Sequence, residues 1–220
     1  MTDDSRSLAI EGVRFFGEMS ASISHEIKNV LAIINENAGL LQDMVAMSAG
    51  GAPLSPERLV KLAQSIDRQV GRGDRIVKAM NRFAHSADHP VETVDVGAVI
   101  AFVADLASRL IAMKGNPPRI EVPEAPITAT TNRFFLESLI WSCMNRCMDA
   151  CRPDQTLTLA VEKEDENVRI RYQGMDAALF GAGEAFPSAR EAMVCAMINA
   201  HIVTGENEEE IVLVLSSCLS

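Results

Sequence analysis

The chain has 220 residues and a formal net charge of −10, with 48% apolar residues, 23% charged residues and few aromatics. That length holds one medium domain or two small ones, and the scarcity of aromatics predicts a core of Leu, Ile, Val, Ala and Met. The charge is uneven. Residues 1–90 hold ten Lys or Arg against eleven Asp or Glu, and residues 91–220 hold ten against nineteen, so the second half lacks the basic face that nucleic-acid binding needs. No apolar run approaches membrane-spanning length. The acidic start, Met1 to Arg6, is not followed by the apolar run of a signal peptide. Cys143, Cys147, Cys151, Cys195 and Cys218 are odd in number and show no secreted pairing pattern. These features lead to the expectation of a cytoplasmic protein in a reducing compartment.

In chain order, a first helix is predicted from about Leu8 to about Ser48. Val13, Phe16, Ile23, Ile27, Val30, Ile34, Leu41 and Met44 recur at steps of three and four, with Ser20 and Asn37 as polar interruptions. That rhythm is an apolar seam of coiled-coil type. With Ile23, Ile27 and Val30 on the seam, His25 points away from it, because a residue two positions from its seam neighbours cannot share their face. The Gly50-Gly51-Ala52-Pro53 stretch ends the helix. Ser55 as N-cap and Pro56 at the first helical position open a second helix. Its seam is Leu59, Leu62, Ile66, Val70, Ile76, Met80 and Phe83, with Gly71 and Gly73 in the middle, and it ends near His85–His89. Two long helices joined by a short loop form an antiparallel hairpin. One wet seam per helix makes dimerisation into a four-helix bundle the economical arrangement. Arg68, Arg72, Arg75 and Arg82 fall off the seam, mostly along one outer strip. A solvated basic face explains them as simply as a docking strip for an acidic partner.

Beyond a boundary near residue 90, Val91–Asp95 is extended and Val96–Lys114 is helical. Arg119–Val122 reads as a strand and Ala125–Ala129 as extended. Thr131 or Asn132 caps a helix from Arg133 to Cys151. Leu157–Val161 and Val168–Tyr172 are strands around a polar turn at Lys163–Asn167. Ser188–Ala200 is a helix and Ile211–Leu215 a last strand. Two-layer packing of these elements predicts an α/β sandwich, so the fold class is α+β: a helical hairpin over 1–90 and an α/β sandwich over 91–220. Cys143, Cys147 and Cys151 line one helix face, but the paired spacing of a zinc site is absent, and small buried thiols are the plainer reading. His85 and His89 suit a helix C-terminus better than a metal. His201 follows an apolar helix, and Glu206–Glu210 reads as a solvated turn. No metal ligand set is expected.

His25-Glu26-Ile27-Lys28-Asn29 resembles the phosphoacceptor box of sensor histidine kinases, H-E-[large apolar]-[K/R]-[N/T]-P, with Val30 where that pattern has Pro. The alternative is an ordinary solvated histidine with a charged neighbour; spacing and outward orientation agree with the box. Val30 suits a straighter helix than Pro would. The resemblance implies a dimeric four-helix bundle whose His25 carries phosphate. His25 would be the nucleophile and Glu26 the carboxylate that holds its tautomer. Asn29 would contact the phosphoryl group or attacking water, and Lys28 would add positive charge. Implied partners are response-regulator receiver domains, whose acidic pocket suits Arg68, Arg72 and Arg75, with Mg²⁺ supplied by the receiver.

The second half resembles the ATP-binding domain of the same kinases in element order, and departs from its site motifs. Aligning Asp149-Ala150 with the end of the metal-ligand motif puts Arg146 at the Asn position, and Asn145 lies about 100° away on the helix. Tyr172-Gln173-Gly174-Met175-Asp176 stands where Asp-x-Gly-x-Gly would receive adenine. Phe186 and Pro187 stand where a glycine-rich stretch would cradle phosphate, with Gly181 and Gly183 upstream. Only about fifteen residues are left for a phosphate-covering lid. The expectation is a degenerate domain that binds no cofactor, in a phosphorelay histidine phosphotransferase within two-component signalling. An active kinase with a divergent ATP site and a non-catalytic dimeric scaffold or inhibitor are the alternatives.

Overall fold

The computed structural model describes residues 3–51, 53–182, 185–205 and 209–216. Helix α1 spans Asp3–Ala49 and α2 spans Pro56–Ala84, followed by a 3-10 turn at His85–Ala87. Strand β1 (Glu92–Asp95) leads into α3 (Val96–Leu106), α4 (Ser108–Lys114), β2 (Arg119–Glu121) and β3 (Thr128–Thr131). Helix α5 (Arg133–Asp149), β4 (Thr158–Glu164), β5 (Asn167–Gln173), α6 (Ala177–Gly181), α7 (Ala189–Met197), β6 (Ala200–Thr204) and β7 (Glu210–Ser216) complete the chain. A helical N-terminal part followed by an α/β domain is thus the architecture.

The chain forms two compact units, residues 20–82 and residues 1–19 with 83–220. The start of α1, through Met19, therefore packs with the second half of the chain.

Unit 20–82 is the hairpin. On α1, Ile23 and Val30 are buried, and Ile27, Ile34, Leu41 and Met44 are half-buried. Asn37, the polar member of that seam, donates its amide to the Ile33 carbonyl at 2.7 Å, so its polarity is satisfied locally. On α2 the inner face runs over Leu59, Leu62, Ile66, Gln69, Gly73 and Ile76, all half-buried, while Val70 is 55% exposed. The expected seam at Val70 is displaced by one residue. Gly73 faces α1 at this level: a Cβ on it would lie 3.4 Å from Val30 Cγ1.

In the larger unit, β2-β4-β5-β7-β6 is a five-stranded sheet with β2 parallel to β4 and the other neighbours antiparallel. β1 and β3 form a separate antiparallel pair. Helix α5 contacts α3, α7 and β5, and eleven of its residues are buried, each large apolar one contributing about 2 kcal/mol. Asn132 caps it, its side chain accepting from the Phe135 N–H at 3.0 Å. The beginning of α1 packs through Phe15 and Met19, both fully buried, while Val13 is 72% and Phe16 42% exposed. The 3/4 series points to the wrong pair here, because Phe15 joins Phe83 and Phe134 with ring centroids 5.4 Å away in each case. Trp141 Nε1 donates to Glu18 at 3.1 Å, and Arg190 pairs with Glu11 at 2.7 Å.

Three further elements differ from expectation. The helix over 96–114 breaks at Ala107 with a 69° bend between α3 and α4. The extended segment shifts from 125–129 to Thr128–Thr131, past Pro123 and Pro126, which lack the N–H a ladder needs. Helix α7 stops at Met197, Asn199 adopts φ 51°, and the chain turns into β6, which places His201 on an exposed edge strand. No single described helix is long and apolar enough to cross a membrane.

Candidate functional site

The hairpin carries one candidate site. His25, Lys28 and Asn29 are exposed on α1. The Asn29 amide nitrogen lies 3.2 Å from His25 Nδ1, one helical turn away. Glu26 is half-buried, and its carboxylate accepts from Arg72 Nη2 of α2 at 3.2 Å. In this state the carboxylate adjoining His25 is held by an arginine, and the ring nitrogen is engaged by the amide. Arg72 therefore has a partner within the hairpin and is more than a solvated member of the strip. Arg68 and Arg75, about one turn to either side of it, are exposed. The Arg72–Glu26 pair, 46 residues apart, sets the middle of the basic strip at the level of His25–Asn29. Sequence spacing could not pair them, because it carries no information on the register between two helices.

The larger unit holds a second place of interest, at the carboxyl-terminal half of α5. A cavity of about 390 Å³ is lined by Ser142, Asn145, Arg146, Asp149, Ser188 and Glu191, among others. Arg146, which the sequence resemblance aligns with a metal-ligating Asn, donates to the Phe180 carbonyl and lies 4.7 Å over the Phe180 ring. A guanidinium has no lone pair for a cation and repels it. Glu191 accepts from Ser142 Oγ at 2.7 Å and from the Ser188 backbone at 2.9 Å, closing the capping box of α7. Burial pushes its carboxyl up, but the hydrogen bonds from Ser188 and Ser142 outweigh burial and leave it below the ordinary range.

Gly174 has φ 93°, and a Cβ there would stand 2.7 Å from the Thr156 carbonyl. Its presence answers a backbone need without any ligand. Asp176 caps α6 through the Leu179 N–H at 3.0 Å and pairs with Arg152 at 2.6 Å. Gly183 and Glu184 lie outside the described residues, as do residues 206–208 of the acidic run and Cys218.

The cysteine face of α5 is packed inward. Burial pushes the Cys143 and Cys147 thiols well above their usual range, and Cys195 is raised to about 11 by burial and by Glu191. They remain neutral and pack as small apolar groups. His85 Nδ1 pairs with Asp88 at 2.7 Å. Among the described residues, no group of three or more His, Cys, Asp or Glu converges on a metal position.

No family model matches the chain. Sensor protein CreC of Escherichia coli K12 is 23% identical over 176 residues, covering 76% of this chain and 34% of CreC. The chain thus spans about a third of the length of that curated relative. Among solved structures, the catalytic domain of histidine kinase ThkA aligns with 60% of this chain and all of its own, at 10% identity and a TM-score of 0.47. Histidine kinase AdeS of Acinetobacter baumannii aligns over 88% of this chain and 98% of its own, at 15% identity and a TM-score of 0.44. ThkA in complex with response regulator protein TrrA aligns over 93% of this chain and 63% of that one, at 15% identity and a TM-score of 0.45. These are proteins to which the chain is similar. His25, Lys28 and Asn29 stand exposed on α1, whereas Arg146 packs on Phe180 of its own unit.

Proposed function

We propose that the chain is a phosphorelay histidine phosphotransferase, taking phosphate from one receiver aspartate onto His25 and passing it to another. The observation that carries this reading is Arg146. Its guanidinium faces Phe180, main chain and ring, where an ATP-dependent kinase needs a metal ligand. Phosphate then has to come from outside, and an exposed imidazole is the acceptor. Receiver domains are acidic around their phosphoacceptor, so Arg68, Arg72 and Arg75 form the docking strip, and Mg²⁺ arrives with the receiver. The catalytic group is His25, with Glu26, Lys28 and Asn29 beside it. A second copy completes the hairpin as a four-helix bundle. Leu31, Val45, Val70 and Val77 are 46–60% exposed, which supports this.

The test is direct. The chain is incubated with Mg²⁺-ATP alone and, separately, with a set of phosphorylated receiver domains, and acid-labile phosphate on His25 is followed. The expected result is phosphate from receivers and none from ATP, with complete loss in His25→Ala at unchanged fold. The cavity beside Ser142, Asn145 and Ser188 favours a second reading, an active kinase with a divergent ATP site. Phosphate appearing on His25 from Mg²⁺-ATP alone selects it.

A further inference from the structure

Asn29 presents its amide nitrogen to His25 Nδ1 at 3.2 Å. An amide N–H only donates, so Nδ1 accepts and a neutral ring keeps its proton on Nε2. In that state neither nitrogen is a good nucleophile: the Nδ1 lone pair is engaged and Nε2 is an N–H. An amide has two ends of opposite character separated by a half-turn about its last torsion. With Oδ1 towards the ring, Asn29 accepts from Nδ1–H instead. The proton then sits on Nδ1 and the Nε2 lone pair is free. The same half-turn moves Nδ2 away from the ring, where it can donate to an anion. Both side chains are exposed, so nothing packed around them blocks the rotation. Glu26 is meanwhile held by Arg72, and the amide is the group seen at Nδ1.

We infer that Asn29 is the positioning residue that sets the tautomer of His25, and that an arriving phosphoryl group selects the reactive orientation. This rests on the reading of His25 as phosphoacceptor. The phosphoryl oxygens accept hydrogen bonds and cannot donate, so they favour the rotamer with Nδ2 turned towards them and Oδ1 on Nδ1–H. The proton moves from Nε2 to Nδ1 through solvent. The Nε2 lone pair then forms the N–P bond as the P–O bond to the receiver aspartate breaks, and the carboxylate leaves with that electron pair. The phosphorylated ring keeps Nδ1–H, stabilised by Oδ1. Before a donor docks, the imidazole is therefore held in its unreactive form. The conformational step is local to one side chain, so it needs no movement of the helix.

The test reads the tautomer itself. The full chain is labelled with ¹⁵N and its His25 ring nitrogens are assigned by long-range ¹H–¹⁵N correlation at alkaline pH, where imidazoles are neutral. The wild type is expected to show mainly Nε2–H. Asn29→Asp, whose side chain can only accept, is expected to invert this to mainly Nδ1–H. Asn29→Leu, which can do neither, is expected to lower the Nε2–H share from the wild-type value to that of a free imidazole, and a share equal to the wild type overturns the inference. An unchanged Nε2–H ring in Asn29→Asp overturns the inference, as does mainly Nδ1–H in the wild type. Inversion of the tautomer in a chain that takes no phosphate from any receiver upholds the tautomer control and removes the phosphotransfer reading instead. The two are thereby separated.

Discussion

The hairpin 20–82 and the α/β body bury their residues to different depths. Among the described hairpin residues only Ser22, Ile23 and Val30 are buried, and the rest of both seams is half-buried or exposed. In the body, α5 alone buries eleven residues and β7 buries five in succession. The hairpin therefore presents exposed side chains on thinly cored helices, while the body has a full core of its own. At the positions that the sequence resemblance assigns to ATP contacts, the residues present have structural duties: Arg146 on Phe180, Asp176 on Leu179 and Arg152, and Gly174 against Thr156.

That contrast can be broken at several depths. The largest expected effect is in the body. Phe83→Ala removes a ring that is 1% exposed and stacked among Phe15, Phe16 and Phe134. A loss of about 3–5 kcal/mol is expected in chemical denaturation. Next is Glu137, fully buried and paired with Arg133 at 2.8 Å. Glu137→Ala leaves a half-buried guanidinium without this carboxylate and is expected to cost about 3 kcal/mol, whereas replacing both by Leu and Met restores much of it. A double-mutant thermal series separates these outcomes.

In the hairpin the expectation reverses. Val70→Glu and Val77→Glu lie on exposed α2 positions, so within one copy each costs no more than about 0.5 kcal/mol. In sedimentation the pair is expected to convert a dimer to a monomer, because a paired face would have to desolvate charge. A substituted chain that sediments as the wild type breaks the proposal of a second copy on this face.

The smallest effect is electrostatic. The Glu191 carboxyl has its folded-state pKa depressed, so its stabilisation is present above the ordinary value of 4.5 and is lost as pH falls through the lower, folded value. Glu191→Gln is expected to flatten that acid limb of the melting-temperature profile and to cost about 1 kcal/mol near neutrality by weakening the α7 cap.

Much of the architecture was legible beforehand where the signal is local. The exposure of His25 follows from its distance to Ile23 and Ile27, and the Asn132 cap from an amide preceding an apolar helix. Less was legible where two patterns compete. In α1 both Val13/Phe16 and Phe15/Met19 fit helical spacing, and only the rings of Phe83 and Phe134 choose between them. On α2, Val70 looked like a seam residue because it is apolar, yet Gln69 and Gly73 hold the inner face, with Gly73 set against Val30. For the site, the box from His25 to Asn29 was readable as a motif, but the ring partner was not. Glu26 was the expected one, and Asn29 takes that place while Arg72 holds Glu26.

By itself the sequence determined the two long helices, the outward histidine, the acidic second half and the absence of Asn at position 146, because periodicity, capping and residue identity are local properties. Tertiary structure alone decided which apolar register is buried, that the start of α1, through Met19, joins the α/β body, and that Arg146 lies on Phe180. It also decided that Asn29 and Arg72 divide the neighbours of His25 between them. Each of these depends on which side chains from distant segments meet, and a contact energy is defined only once both partners are in place.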